Sequence, residues 1–263
     1  MNILFFDDHA NYRQALTYYY FLAKNLFMKT LALYLIVPFI LSGHFVASAD
    51  EKHSAVKPEP RSGGWVKRHE SFNERVAKGN VDLILIGDSI THGWEGQGKE
   101  IWEQYYTKRN AVNLGIGGDR TQHVIWRLDN GNIKGISPKA AVVMIGTNNS
   151  GNNTPQEIAD GLKVITKQLR EKLPKTKVLL LGIFPRGENS KDNRRQVNEK
   201  ANAIFKNLAD GEHVHYLDIG EKFLEDDGTL SKKIMPDLLH LSVEGYTIWA
   251  ESIEPTLKKL MQD

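Results

Sequence analysis

The chain has 263 residues, of which 41% are hydrophobic and 25% charged, with a formal net charge of +2 and no cysteine. These values describe a folded protein of one or two domains. They give no electrostatic reason for a nucleic-acid partner, and they exclude thiol nucleophiles, disulfides, iron–sulfur clusters and thiolate zinc sites. The first element in chain order is "MKTLALYLIVPFILSGHFVASAD", from Met28. Lys29, the apolar run Leu31 to Leu41 and Ala47-Ser48-Ala49 form the three parts of an export signal, cleaved after Ala49 so that the mature chain starts near Asp50. Residues 1–27 are then an upstream extension and Met28 the expected start. An uncleaved anchor is the alternative, although the apolar run is short for a bilayer, and no span is expected in the mature chain.

Residues 50–63, "DEKHSAVKPEPRSG", are polar, carry two prolines and read as a linker to a single domain over 64–263. Trp65, Val66, His69, Phe72 and Val76 then recur at helical spacing, up to a stop at Gly79. Five apolar runs follow: Val81–Ile86, Ala111–Leu114, Ala140–Ile145, Lys177–Ile183 and Val214–Ile219. They are continuous rather than alternating, as strands buried on both faces require. Helical stretches separate them at 99–109, 121–129, 155–172 and 193–209, and a last one covers 243–261. Thr154 and Ser242 stand as caps, with Pro155 in a first turn. The alternation predicts an α/β fold, a parallel five-stranded sheet with helices on both faces, whose ligand lies outside the carboxyl ends of the strands.

Three polar, glycine-containing corners fall on that edge: Gly87-Asp88-Ser89, Gly115-Ile116-Gly117-Gly118-Asp119 and Gly146-Thr147-Asn148-Asn149. The second lacks the third glycine of a dinucleotide fingerprint, because Arg120 stands there, and no P-loop lysine follows. His213 and His215 flank one strand position and read as a strand edge, and Glu225-Asp226-Asp227-Gly228 reads as a solvated turn rather than a calcium loop. Trp94 and Trp126 read as core or surface residues. Acyl transfer needs a hydroxyl, a base, a group that orients the base and donors for the oxyanion. Ser89 supplies the hydroxyl, and Asp237 and His240 in "IMPDLLHLSVEGY" are spaced so that one turn brings carboxylate to imidazole. The amides of Ser89 and Gly117 and the side chain of Asn148 are the candidate oxyanion donors. A G-x-S-x-G elbow is absent, since Thr91 occupies its second glycine.

Together the four blocks Gly87-Asp88-Ser89-Ile90, Gly117, Gly146-Thr147-Asn148 and Asp237-x-x-His240 resemble the GDSL, or SGNH, hydrolases. The resemblance implies a flavodoxin-like three-layer α/β/α fold, catalysis by Ser89, His240 and Asp237, an oxyanion hole from Ser89, Gly117 and Asn148, and no metal or cofactor. Within that family, "NLGIGGDRTQHVIWRLDNGNIKGISPKAAVVMIGTNN" is similar to the catalytic subunits of the intracellular platelet-activating-factor acetylhydrolases, and the export signal points to bacterial relatives of that branch. The expectation is a secreted or periplasmic serine esterase for short acyl groups, acetyl first, acting on a small-molecule or glycan ester such as an O-acetylated carbohydrate. A lysophospholipase or thioesterase, a non-catalytic carbohydrate-binding protein on the same fold and a flavodoxin-like nucleotide binder are the alternatives. The oligomeric state is not legible.

Overall fold

The computed structural model describes Tyr20 and residues 52–262, the latter forming one compact unit with a single sheet. The expected export signal at 28–49 and the expected new terminus at Asp50 lie outside the described residues. Among those that are described, no helix is long and apolar enough to cross a membrane.

The unit alternates helix and strand as expected. Helix α1 (Gly64–Ala77) is followed by β1 (Leu83–Gly87), the one-turn helix α2 (Ser89–His92), α3 (Lys99–Tyr105) and β2 (Ala111–Gly115). Next come α4 (Thr121–Asp129), β3 (Ala140–Met144), α5 (Pro155–Lys172), β4 (Lys177–Leu181), α6 (Asn193–Phe205), β5 (Val214–Leu217) and α7 (Val243–Met261). All strand pairs are parallel and the order is β2-β1-β3-β4-β5. β1 therefore lies between β2 and β3, and the three polar corners emerge side by side.

Alternate side chains of each strand enter different cores. Ile84, Ile86, Val112, Leu114, Val143 and Leu180 meet α1, α4, α5 and α6 on one face. Leu83, Leu85, Val142, Met144, Leu179 and Leu181 meet Trp94, Tyr106 and the Tyr246–Met261 stretch of α7 on the other. Both faces are covered, and the result is the three-layer α/β/α sandwich. Trp94 is buried in an aromatic cluster, its ring 5.0 Å from that of Trp249, and Trp126 packs 5.5 Å from Trp65. The Thr154 hydroxyl accepts from the Glu157 amide and the Glu157 carboxylate accepts from the Thr154 amide, a reciprocal cap that starts α5 at Pro155.

The ladder differs from the apolar runs at its ends. Val81 is buried but precedes β1, whereas Gly87 and Gly115 continue β1 and β2 past the last aliphatic residue. β2 is an edge strand, and side chains close its outer rim at Gly115. The Gly115 amide donates to Asn113 Oδ1 at 2.9 Å, and Arg68 Nε donates to the Gly115 carbonyl at 2.8 Å.

The segment expected to be a linker is part of the domain from Lys52 onward. Ala55 is fully buried, and its carbonyl accepts from the Thr121 hydroxyl at 2.7 Å. Asn153 Nδ2 donates to Ser54 Oγ at 2.9 Å, and the Glu59 amide donates to the Gln122 carbonyl at 3.2 Å. Arg61 reaches the Gly117 carbonyl at 2.8 Å. The segment is mostly exposed, yet Ala55, Ser54 and Glu59 tie it to the first turn of α4 and to the residues preceding α5.

Candidate active site

The first corner is built by close approach. A Cβ on Gly87 would collide with the Thr91 hydroxyl and the Met144 carbonyl, and one on Gly115 would collide with the His92 amide. Glycine at both strand ends lets α2 nest against β1 and β2 directly. Asp88 is the cap of this turn. It is fully buried, and its Oδ1 accepts from the Ile90 amide at 3.0 Å. Burial, with the Asp119 charge adding to it, raises the Asp88 carboxyl to about 7, against the opposing Ile90 hydrogen bond. Ser89 opens the helix, half-buried, with its hydroxyl facing outward to the next loop.

That loop precedes α7. His240 Nε2 lies 2.9 Å from Ser89 Oγ, and His240 Nδ1 lies 2.6 Å from Asp237 Oδ2. The other Asp237 oxygen accepts from the amides of Leu239 at 3.1 Å and His240 at 2.7 Å. Burial works to raise the Asp237 carboxyl, but these amides and the imidazole outweigh it and hold it below the usual carboxylate range. The turn is tight enough that Leu238 sits at φ 60°, a left-handed conformation costly for a bulky residue. The Gly187 amide, donating to the Leu238 carbonyl at 2.9 Å, helps to hold it there.

Gly117 stands beside the hydroxyl. A Cβ on it would touch only Ser89 Cβ and His92 Nδ1, each at 3.8 Å. Neither backbone conformation nor protein packing demands glycine there, so the space it leaves is open. Asn148, on the third corner, turns its Nδ2 to the carbonyl of Asp119 at 2.9 Å. All five sequence-predicted residues, Ser89, Gly117, Asn148, Asp237 and His240, thus lie on the carboxyl edge of the sheet, at or beyond the ends of its strands.

The second and third corners are held by buried polar hubs. Asp119 is fully buried and accepts from Trp65 Nε1 at 2.7 Å and Arg127 Nε at 2.9 Å, while Arg127 Nη1 donates to Asn132 Oδ1 at 2.7 Å. A buried ion pair of this kind stabilises only when its remaining hydrogen-bonding groups find partners, as these do. Asn149, also fully buried, accepts from the Thr121 amide at 3.0 Å and donates to Gln122 Oε1 at 3.1 Å and Asn153 Oδ1 at 3.0 Å. Three residues near the site carried no sequence signal in the four blocks. Arg61 grips the Gly117 carbonyl. Arg186, in "LGIFPRG" after β4, donates to the Thr147 carbonyl at 3.3 Å and hydroxyl at 3.2 Å. Burial and the Arg194 charge lower the Arg186 pKa, and the carboxylates of Asp192, Asp88 and Asp237 oppose them. His92 ends α2 within reach of Gly117. A cavity of about 910 Å³ lies along the β2 edge, lined by Arg68, Trp102 and Asn113 among others.

A hydroxyl, an imidazole and a carboxylate in series, beside an open glycine corner and a carboxamide, are equipped for acyl transfer. The model of the GDSL-like lipase/acylhydrolase family matches residues 85–248, which include all of them. The chain belongs to this family. The GDSL acylhydrolase is 37% identical over 219 residues to the platelet-activating factor acetylhydrolase IB subunit alpha1 of Homo sapiens, covering 80% of this chain and 92% of that protein. It is 36% identical over 200 residues to subunit alpha2 of Rattus norvegicus, covering 76% and 86%. Among solved structures, a GDSL-like lipase from Bacteroides thetaiotaomicron superposes with a TM-score of 0.56 at 18% identity, over 73% of this chain and 97% of that one. A mutant of an acetyl-xylooligosaccharide esterase from Geobacillus Stearmophilus superposes at 0.54 and 19%, over 70% and 94%. At these identities the structural likeness concerns the fold. The GDSL acylhydrolase is a carboxylic ester hydrolase, and the reading as a nucleotide binder or a non-catalytic carbohydrate-binding protein falls away.

Proposed function

We propose that the chain is an exported serine esterase that removes acetyl and other short acyl groups from neutral hydroxyl-bearing compounds, O-acetylated carbohydrates foremost. The observation that carries the mechanism is the series Asp237–His240–Ser89, with spacings of 2.6 and 2.9 Å. Ser89 Oγ bonds to the ester carbonyl carbon as His240 Nε2 takes its proton. The amides of Ser89 and Gly117 and the free N–H of Asn148 receive the oxyanion. The alcohol leaves with the proton held by His240. Water then attacks the acyl-enzyme, gives a proton to His240 and releases the acid, and Ser89 recovers its hydrogen. Asp237 fixes the imidazole with Nδ1–H toward itself. No step calls for a metal or cofactor.

The acetyl group is supported by the name of the curated relatives, and the carbohydrate by the export signal, which would place the enzyme where acetylated glycans are met. The relatives also favour a second substrate, the acetyl ester of platelet-activating factor itself. The test is a screen of the purified chain from Asp50 against nitrophenyl esters of graded acyl length, acetylated glycosides and an acetylated phospholipid. Acetyl and propionyl esters are expected to exceed octanoyl esters in kcat/KM. A steady rise with acyl length overturns the short-acyl reading. An active-site phosphonate is expected to label Ser89 once, and label on another serine overturns the mechanism. Expressed from Met28 in a Gram-negative host, the protein is expected outside the cytoplasm without residues 28–49, and an intact mass that retains them counts against export by cleavage.

A further inference from the structure

One imidazole beside the site has no part in the reaction as proposed. His92 closes α2, three residues after Ser89. Its amide donates to the Asp88 carbonyl at 2.8 Å, and its carbonyl lies 3.4 Å from Asn113 Nδ2. The glycine at position 115 lets this turn seat on the end of β2. The ring is thereby carried over the second corner, with Nδ1 3.8 Å from the point where a Gly117 Cβ would stand and Ser89 Cβ 3.8 Å from that same point. Nε2 is turned away, 3.8 Å from Glu95 Oε2. Glu95 is itself gripped by two bonds from Arg68, at 2.7 and 3.0 Å, and Arg68 lies over the Phe72 ring at 4.8 Å.

Two features say which part of an ester meets this ring. The Asn148 side of Ser89 is the more enclosed, with Thr147, Asn149 and Ser150 buried and bonded among their neighbours. The opposite side is open: Gly118 is exposed, Gly117 is half-buried and the His92 side chain is 40% exposed. A small acyl group suits the more enclosed side and a larger alcohol the open one. The polarity of the open side is the second feature. Arg68 and Glu95 neutralise one another, and Arg61, the cation beside Gly118, is engaged by the Gly117 carbonyl and by Asp119. Burial first, and the Arg68 charge second, hold the His92 imidazole below its ordinary pKa, against the pull of Glu95. A neutral imidazole carries one donor and one acceptor, the complement of a hydroxyl. A phosphate would instead call for an unpaired cation.

We infer that His92 reads the alcohol portion of the substrate, with Nδ1 hydrogen-bonded to a hydroxyl of a neutral polyol as that alcohol passes Gly117. This rests on the ester-hydrolase reading above and adds to it the side chain that recognises the alcohol.

The test uses two acetates that share the acyl group, nitrophenyl acetate and an acetylated methyl glycoside, and reads the ratio of their kcat/KM values. His92→Phe fills similar space with no hydrogen-bonding atom, and is expected to lower the glycoside-to-aryl ratio about fivefold or more, mainly through the glycoside KM. His92→Gln keeps a donor and an acceptor and is expected to retain most of the ratio. Equal loss on both acetates, or no loss on either, overturns the inference, as does a changed acetyl-to-butyryl preference at a constant nitrophenyl alcohol. A wild-type enzyme that cleaves nitrophenyl acetate and no acetylated glycoside overturns the polyol assignment while the ester reading stands. Failure on every ester overturns both.

Discussion

Asn148 Nδ2 donates to the carbonyl of Asp119 across 2.9 Å, so the third corner of the sheet is tied to the second. A carboxamide has two N–H donors. One is spent on this tie, which fixes the plane of the amide and leaves the other with a set direction. The partner is rigid, because Asp119 is fully buried and held by Trp65 and Arg127. Orientation is thus provided before substrate arrives, the condition under which an oxyanion donor is most effective.

Asn148→Ala is expected to lower kcat by roughly 10²–10³-fold, about 3–4 kcal/mol, with a modest change in KM. Asn148→Asp is expected to be at least as damaging, since it sets an acceptor against the Asp119 carbonyl and the oxyanion alike. Steady-state kinetics decide: a variant with near-full kcat and a raised KM makes Asn148 a substrate-binding or turn residue.

Gly117→Ala separates fold from chemistry. The added methyl meets protein only at 3.8 Å, and Gly117 is not among the glycines with positive φ. The thermal midpoint is expected to stay within a few degrees of wild type, while ester turnover falls steeply because the methyl occupies the open corner. A variant with unchanged kcat/KM removes Gly117 from the site.

Asp88 gives the enzyme a pH-dependent stability. Its carboxyl is raised in the fold from 3.8 to about 7. The folded state therefore binds the proton more tightly than the unfolded chain. The associated stability is complete below pH 3.8 and is lost as pH rises through about 7. Asp88→Asn keeps the oxygen that caps Ile90 and cannot ionise. Between pH 5 and pH 8 the wild-type thermal midpoint is expected to fall relative to this variant, and parallel melting profiles would refute the assignment.

The segment 52–62 is expected to matter to both stability and turnover. A chain beginning at Gly64 loses the buried Ala55 and its bond from Thr121, and is expected to melt at a lower temperature. Arg61→Ala removes only the grip on the Gly117 carbonyl and a 3.3 Å contact with Asp119. It is expected to lower kcat more than it lowers the melting temperature. A shortened chain with full activity and stability would return the segment to the status of a linker.

Local signals made much of this fold legible. Thr154, Pro155 and the apolar period after them delimit α5 at 155–172 because a reciprocal cap acts within four residues. The three corners followed from continuous apolar runs and one rule about parallel sheets. What escaped depends on partners distant in the chain. Ala55 is one small residue among prolines and charges, and its burial is decided by Thr121, 66 positions away. Arg186 lies in the loop that follows β4, where the same edge rule applies, but an arginine after a proline carries no motif. His92 sits on a helix of four residues, too short for any period to show. Gly87 and Gly115 extend their strands because the backbone ladder, not side-chain hydrophobicity, sets where a strand ends.

The closure of the β2 edge at Gly115 bears on how the protein behaves in company. An exposed parallel edge offers its amide and carbonyl groups to any extended chain that drifts past, and sheets that join this way grow into aggregates. At Gly115 both groups are already engaged, one by Asn113 and one by Arg68. A passing strand finds no free pair at the mouth of the site and would have to break an intramolecular bond before making an intermolecular one. Arg68 is thus a guard against edge pairing at this point, and replacing it is expected to lower colloidal stability in concentrated solution.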